Sequence, residues 1–306
     1  MGLGTGREVV TLAEPATIAT PARRPSPQPS PRRRRPRPLG AAATVAAIGV
    51  FAFGPVYWLL VTALTPNDDA FAFPPRLWPD TVTFEHFTNL ADNPALARYL
   101  GNSLIVSLLT ALLTVIVSAY TAYSFAKFRY RGRRSLMYLV LASQMFPQAL
   151  LLITLYLVFS AYGLLNTYLA LVLSFTTFTL PLCVWMLKGF FDTIPDELIE
   201  AAKVDGAGQG AIIHRILLPV SLPGLIATGL FAFIRGWNDF IFALTLAGPE
   251  KQTLPPGLVN TYLGEFQAAW PDLMAASLVV SLPVVIGFIV LQRYLVAGLT
   301  SGAVKG

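Results

Sequence analysis

Charge is scarce in this sequence. Only 12% of its residues are Asp, Glu, Lys or Arg, while 55% are hydrophobic; ordinary soluble domains carry about 25% charged residues. That leaves too little polar surface for a water-soluble fold. Cysteine is nearly missing as well. The single Cys183 lies inside an apolar run, so neither an intrachain disulfide nor a thiolate metal cluster can form, and it reads as a small buried hydrophobe. The only histidines, His86 and His214, fall in loops assigned below to opposite sides of a membrane. This leaves no metal-ligand set and no nucleophile–base pair for catalysis. No GxxxxGK[ST] stretch occurs, so ATP has no phosphate loop here. Gly206-Ala207-Gly208-Gln209-Gly210 is glycine-rich but follows a helix pattern and does not match GxGxxG.

What the chain does have is apolar residues in long blocks, with a mean hydropathy of +0.61. A helix needs about 20 apolar residues to cross a hydrocarbon core of about 30 Å. Six runs qualify, at residues 40–64, 99–125, 135–159, 166–190, 219–246 and 273–296. The expected fold is an all-α membrane protein with six transmembrane helices. The first run has no small-residue cleavage site and exceeds a signal-peptide core, so it reads as a retained span. Gly2 begins no myristoylation signal, because position 6 is Gly.

Basic residues orient the spans. The tail arginines, Lys127 to Arg134, Lys188, Lys203, Arg215, Arg293 and Lys305 fall on one side; Arg76, Arg98 and Lys251 fall on the other, eighteen against three. The positive-inside rule then places both termini in the cytoplasm. Residues 1–38, rich in Pro and Arg, cannot bury a core and are expected to be a disordered cytoplasmic tail rather than a nucleic-acid arm. The loop over 65–98, with Pro66, Pro74, Pro75, Pro79 and Trp78, is expected outside, as short interfacial segments. The loop from Ala247 to Trp270 is a candidate contact surface for an external partner.

One polar stretch, 192–219, interrupts the lipid-soluble pattern between the fourth and fifth spans. Thr193 is placed to N-cap a helix, Pro195 suits its first turn, and Asp196 and Glu197 complement its positive dipole end. The helix is predicted to run to Val204 and turn at Gly206; a second piece, 208–217, is predicted to stop before Pro219. Leu198, Ala201, Ala202 and Asp205 share helical spacing, a short face with small residues at its centre. An amphipathic helix lying on lipid and a helix docking on a soluble partner both fit this periodicity.

Glu200, Ala201, Ala202 and Gly206, followed by Ile216 and Leu218-Pro219, resemble the EAA signature of binding-protein-dependent ABC importer permeases. Trp237-Asn238-Asp239-Phe240, the run Gly298 to Gly306 and Gln144-Met145-Phe146-Pro147 resemble the carbohydrate branch, the MalG-type permeases. The resemblance covers residues 40–306 and leaves the tail outside. It implies a type I importer fold: the first span, the 65–98 loop, a five-helix core over 99–296 and a C-terminal cytoplasmic tail over 297–306. It further implies a second, MalF-like permease subunit, two ATPase subunits that bind ATP and Mg²⁺, and an external sugar-binding protein. This chain would bind no cofactor or metal and catalyse no reaction itself. Glu200, Ala201, Ala202, Asp205, Gly206, Leu218 and Pro219 would then form the ATPase-coupling segment, with Lys305 and Gly306 reaching toward the ATPase.

Polar groups inside spans are costly, about 2.5–3.5 kcal/mol for a mid-helix Arg or Asp. Arg235 and Asp239 stand four apart, at pairing distance on one helix face. With Trp237, Asn238 and Gln144 they are the candidate sugar path, the competing reading being an ion pair that only packs against a neighbour. Gln144, Pro147, Gln148 and Pro181 otherwise read as kink residues, and Asn102 as a cap for the second span. A self-sufficient secondary transporter would leave the 192–219 segment without a purpose, and an importer for another solute is the competitor within the class.

Overall fold

The computed structural model describes Gly2, Gly4, residues 38–263 and residues 269–303. Most of the tail, and Lys305 with Gly306, therefore lie outside the described residues. Thirteen helices appear among those described: α1 Pro38–Ala63, α2 Glu85–Ala91, α3 Pro94–Lys127, α4 Arg133–Ala142, α5 Gln148–Ala161, α6 Tyr168–Asp192, α7 Asp196–Val204, α8 Gln209–Ile212, α9 Leu218–Val220, α10 Leu222–Trp237, α11 Ile241–Leu246, α12 Leu254–Tyr262 and α13 Trp270–Ala303. There is no strand among them.

Four of these helices are long and apolar enough to cross a membrane, or six spans if each of two bent pairs counts as one. The bends have local causes. Phe146 is extended (ψ 131°) because Pro147 disfavours a helical residue before it, and α4 with its 3₁₀ extension meets α5 at 94°. The expected single third span is therefore two helices. The fifth run breaks twice. Near Pro219 the chain passes through a π turn, Ile213–Leu217, and meets α10 at 81°. Pro219 lacks an N–H and its ring crowds the preceding turn, which the wider π turn accommodates. At the far end the helix stops at Trp237, and Asp239 starts α11 by accepting the N–H groups of Phe242 (3.0 Å) and Ala243 (3.2 Å).

By its contacts the chain divides into residues 1–50 and 51–306. In the first unit, the described turns of α1 expose Val45 and Ile48. In the second, α3, α6 and α10 pack on one another and α13 packs on α10. Ser103, Ser107, Thr110, Thr114 and Ser118 make a buried stripe of small residues down α3. A Cβ on Gly236 would sit 3.3 Å from the Ser107 Cα, so the backbones of α3 and α10 nearly touch there. The outward faces are apolar: Ile286, Phe288, Ile289 and Val290 of α13 are exposed. Such surface is unfavourable in water and suits a hydrocarbon surround.

Helix α3 starts five residues earlier than its apolar run. Asn93 caps it, its Oδ1 accepting the Ala95 N–H at 3.0 Å, with Pro94 in the first turn. Asn102 is consequently not a cap. It lies buried in the helix and donates to the carbonyls of Glu250 (2.9 Å) and Gln252 (2.8 Å), while the Tyr168 hydroxyl donates to its Oδ1 at 2.6 Å. One side chain thereby pins the 247–253 loop to α3 and α6. The loop over 65–98 is pinned by His86, buried to 1% exposure, whose ring nitrogens lie 2.9 Å from Asp272 Oδ1 and 3.0 Å from the Thr65 carbonyl.

Candidate functional site

The 192–219 segment is held against the bundle by packing and hydrogen bonds. With nine residues, α7 is too short to be stable alone. Its stability comes from packing: Ile199 and Ala202 bury against Ala122, Tyr123, Leu187, Phe191, Ile212 and Leu217. Burying a side chain the size of Ile199 contributes about 2 kcal/mol. Lys127, at the end of α3 and with a side chain only 8% exposed, donates to the Ile194 carbonyl (2.7 Å) and to Asp196 (2.7 Å). That hydrogen bond, and then the Lys127 charge, hold the Asp196 carboxyl below its ordinary range. The C-terminus closes as a Schellman turn. Gly206 (φ 82°) donates to the Lys203 carbonyl at 3.0 Å, and Ala207 to Ala202 at 2.9 Å.

Two local expectations change. Thr193 caps the end of α6 instead of starting α7, its hydroxyl donating to the Phe190 carbonyl at 2.7 Å, and Pro195 occupies the N-cap position of α7. Ala202 faces inward. The chain turns only briefly between α6 and α7, so the face carrying Ile199 and Ala202 meets the bundle; Leu198, Glu200, Ala201, Val204 and Asp205 face out, Val204 with 87% exposure. Leu218 is half-buried against the same core, and Pro219 is exposed. Sequence reasoning missed Lys127 as the residue that fixes α7 to α3, and also the Tyr123 hydroxyl donating to Gln209, which ties α3 to α8. A basic residue ending a span reads as topology until its partner is seen.

The residues expected on the sugar path enter separate contacts. Arg235 is exposed and forms no ion pair with Asp239, whose carboxylate is committed to the α11 backbone. The N-cap demand at the helix break outcompetes the four-residue pairing. Gln144 also serves the backbone: its Nε2 donates to the Phe178 carbonyl at 2.7 Å, in the turn of α6 that Pro181 disturbs. Trp237 is buried to 4% and stacks on Phe233 at 5.5 Å. Yet Trp237, with Asn238 and Phe240, lines an open cleft of about 480 Å³ whose other wall is α12 and α13, including Ser277 and Ser281. The two serines, four residues apart in an apolar helix, were the overlooked signal. Among the described residues no three His, Cys, Asp or Glu side chains gather to hold a metal ion.

Residues 114–301 match the family described as binding-protein-dependent transport system inner membrane component. The chain belongs to that family. The permease is 35% identical over 253 residues to the diacetylchitobiose uptake system permease protein DasC of Streptomyces coelicolor, spanning 82% of this chain and 91% of that one. It is 34% identical over 258 residues to the trehalose transport system permease protein SugB of Mycobacterium tuberculosis, spanning 84% and 93%. Among solved structures, a bacterial ABC transporter involved in import of the acidic polysaccharide alginate superposes with a TM-score of 0.73 at 20% identity, covering 84% of this chain and 95% of that one. That likeness shows a shared fold. The permease is thus a multi-pass component of the inner membrane, and its apolar outer surface agrees with that setting.

Proposed function

We propose that the permease is one of two homologous membrane subunits of an ATP-driven importer for a di- or oligosaccharide. Each bent helix pair is one span, giving six, and the eighteen-to-three distribution of basic residues supports a cytoplasmic position for both termini and α7. There α7 docks on one of two ATPase subunits, which hold ATP and Mg²⁺; an external binding protein delivers the sugar on the opposite side.

The observation that carries this reading is the mounting of α7. A helix that merely rests on lipid needs no buried cation clasp and no capped end, and Glu200 on its outer face is repelled by anionic headgroups. Here the inner face is locked to α3 and α6 and the outer face is free, so a push on α7 moves the bundle. Glu200 and Asp205 supply charge to the docking face, Ala201 permits close approach, and Gly206 holds the turn. Carbohydrate as the cargo is supported by the disaccharides that the DasC and SugB names carry. In the cleft, Asn238 offers its amide, and the two α13 serines, whose hydroxyls donate to the carbonyls of Leu273 and Leu278, offer acceptor lone pairs beside Trp237, a combination suited to sugar hydroxyls.

The test is co-purification of the ATPase with Glu200→Lys and Ala201→Trp variants, with uptake of labelled disaccharides measured in parallel. Loss of both ATPase retention and uptake, with normal membrane insertion, is the expected result. Unchanged retention and uptake would remove α7 as the coupling element.

A further inference from the structure

We propose that a crevice between α3, α4 and α6, at the end of the bundle that carries α7, binds an anionic glycerophospholipid. The inference rests on the bilayer setting of these helices and not on the identity of the cargo. The crevice holds about 310 Å³. Its floor is apolar: Phe125 and Met137 are buried there, and Trp185 is 53% exposed along its open side. Its mouth is cationic, formed by Arg133, Arg134 and Lys188.

The charge is concentrated and largely uncompensated. Arg133 and Arg134 also line an adjoining hollow of about 510 Å³ with Arg129 and Arg131, and no acidic side chain lines either space. None of the four arginines pairs with a carboxylate among the described residues; Lys188 does, with Asp192 at 2.5 Å. Arg133 is held in place by donating to the Phe128 carbonyl at 3.0 Å, which leaves further guanidinium donors free. Arginine presents paired donors that match the oxygens of a phosphodiester. An apolar floor with phosphate-seeking cations at the rim matches an anionic phospholipid: acyl methylenes against Trp185 and Met137, phosphate at Arg133 and Arg134. A free inorganic phosphate would leave the apolar floor uncovered, and a zwitterionic lipid would bring its own cation into the arginine cluster.

Trp185 is the reporter. The full chain, purified with the subunits it assembles with, is placed in nanodiscs containing brominated phosphatidylglycerol or, at the same mole fraction, brominated phosphatidylcholine. The fluorescence component lost in Trp185→Phe is then followed. Phosphatidylglycerol is expected to quench that component several-fold more strongly, and added salt to reduce the preference. One basic residue near a membrane surface is worth about fivefold in affinity, so Arg133→Gln with Arg134→Gln is expected to cost about 25-fold and abolish the preference. Equal quenching by the two lipids, a preference indifferent to salt, or an undiminished preference in a well-inserted double variant would overturn the proposal. Absence of quenching by either lipid would also overturn it, because a protein surface would then cover the crevice.

Discussion

The Schellman turn that closes α7 gives a sharp prediction. Gly206 has φ 82°, a conformation in which a side-chain-bearing residue is strained by about 1–2 kcal/mol. A Cβ built at this position meets nothing within 4 Å, so no steric collision inside the permease adds to that strain. The cost of Gly206→Ala is therefore set by the backbone alone. About 1 kcal/mol is roughly a fivefold loss in the population with the turn closed. Asparagine tolerates the left-handed region and should lose less; valine, branched at Cβ, should lose more. If docking needs the closed turn, ATPase retained per permease after detergent extraction should fall in the order Gly, Asn, Ala, Val, with ATP-dependent uptake following. Equal retention for Gly and Val would show that the turn does not matter to docking. Asparagine as damaging as valine would show that bulk against a partner, not backbone conformation, decides.

Three further perturbations separate structural from functional roles. A Cβ on Gly257 would lie 2.5 Å from the Tyr99 ring, so Gly257→Ala should destabilise the detergent-solubilised protein by about 1–3 kcal/mol, read as a lower unfolding temperature, and Tyr99→Leu should restore part of the loss. Asp239→Ala should cost about 1 kcal/mol through the lost cap of α11, whereas Asp239→Asn, which still caps, should keep stability and uptake; loss of uptake in the Asn variant with stability kept would assign Asp239 to the sugar path. The carboxyl of Asp196 is lowered by Lys127, so its contribution is present above the ordinary carboxylate pKa of about 3.9 and disappears as pH falls through the lower folded value. Protease sensitivity of the 193–206 segment should thus stay flat from neutral pH down to about pH 5 and rise only in stronger acid. In Lys127→Met the segment should be more sensitive already at neutral pH.

Much of the architecture was legible because lipid imposes a simple rule. Apolar length located the helices, and proline marked both bends. What the apolar pattern hid was the character of those bends. A run such as 219–246 looks like one span until Pro219 and Asp239 are given backbone roles, since hydropathy counts side chains and says nothing of unpaired N–H groups. The start of α3 was missed for the same reason: Asn93 and Pro94 form a strong helix start that lies outside the apolar block. On α7, spacing identified the helix and its turn but not which face looks inward, because Ala201 and Ala202 are chemically alike and only the direction of the preceding chain distinguishes them. The cleft beside Trp237 depended on α12 and α13, whose approach to residue 238 no local pattern announces.

The clasp at His86 has a consequence in protons. Its Nε2 faces the Thr65 carbonyl, which can only accept, so that nitrogen carries hydrogen. Its Nδ1 faces a carboxylate oxygen of Asp272, and a hydrogen bond across 2.9 Å needs a second hydrogen between them. Three segments distant in sequence, Thr65 just past α1, α2 itself and the first turn of α13, are thus held by one imidazole that must donate from one nitrogen and share a proton at the other. Asparagine and glutamine each offer one NH₂ group and one carbonyl on the same terminal carbon, so neither can donate to two acceptors on opposite sides of a ring.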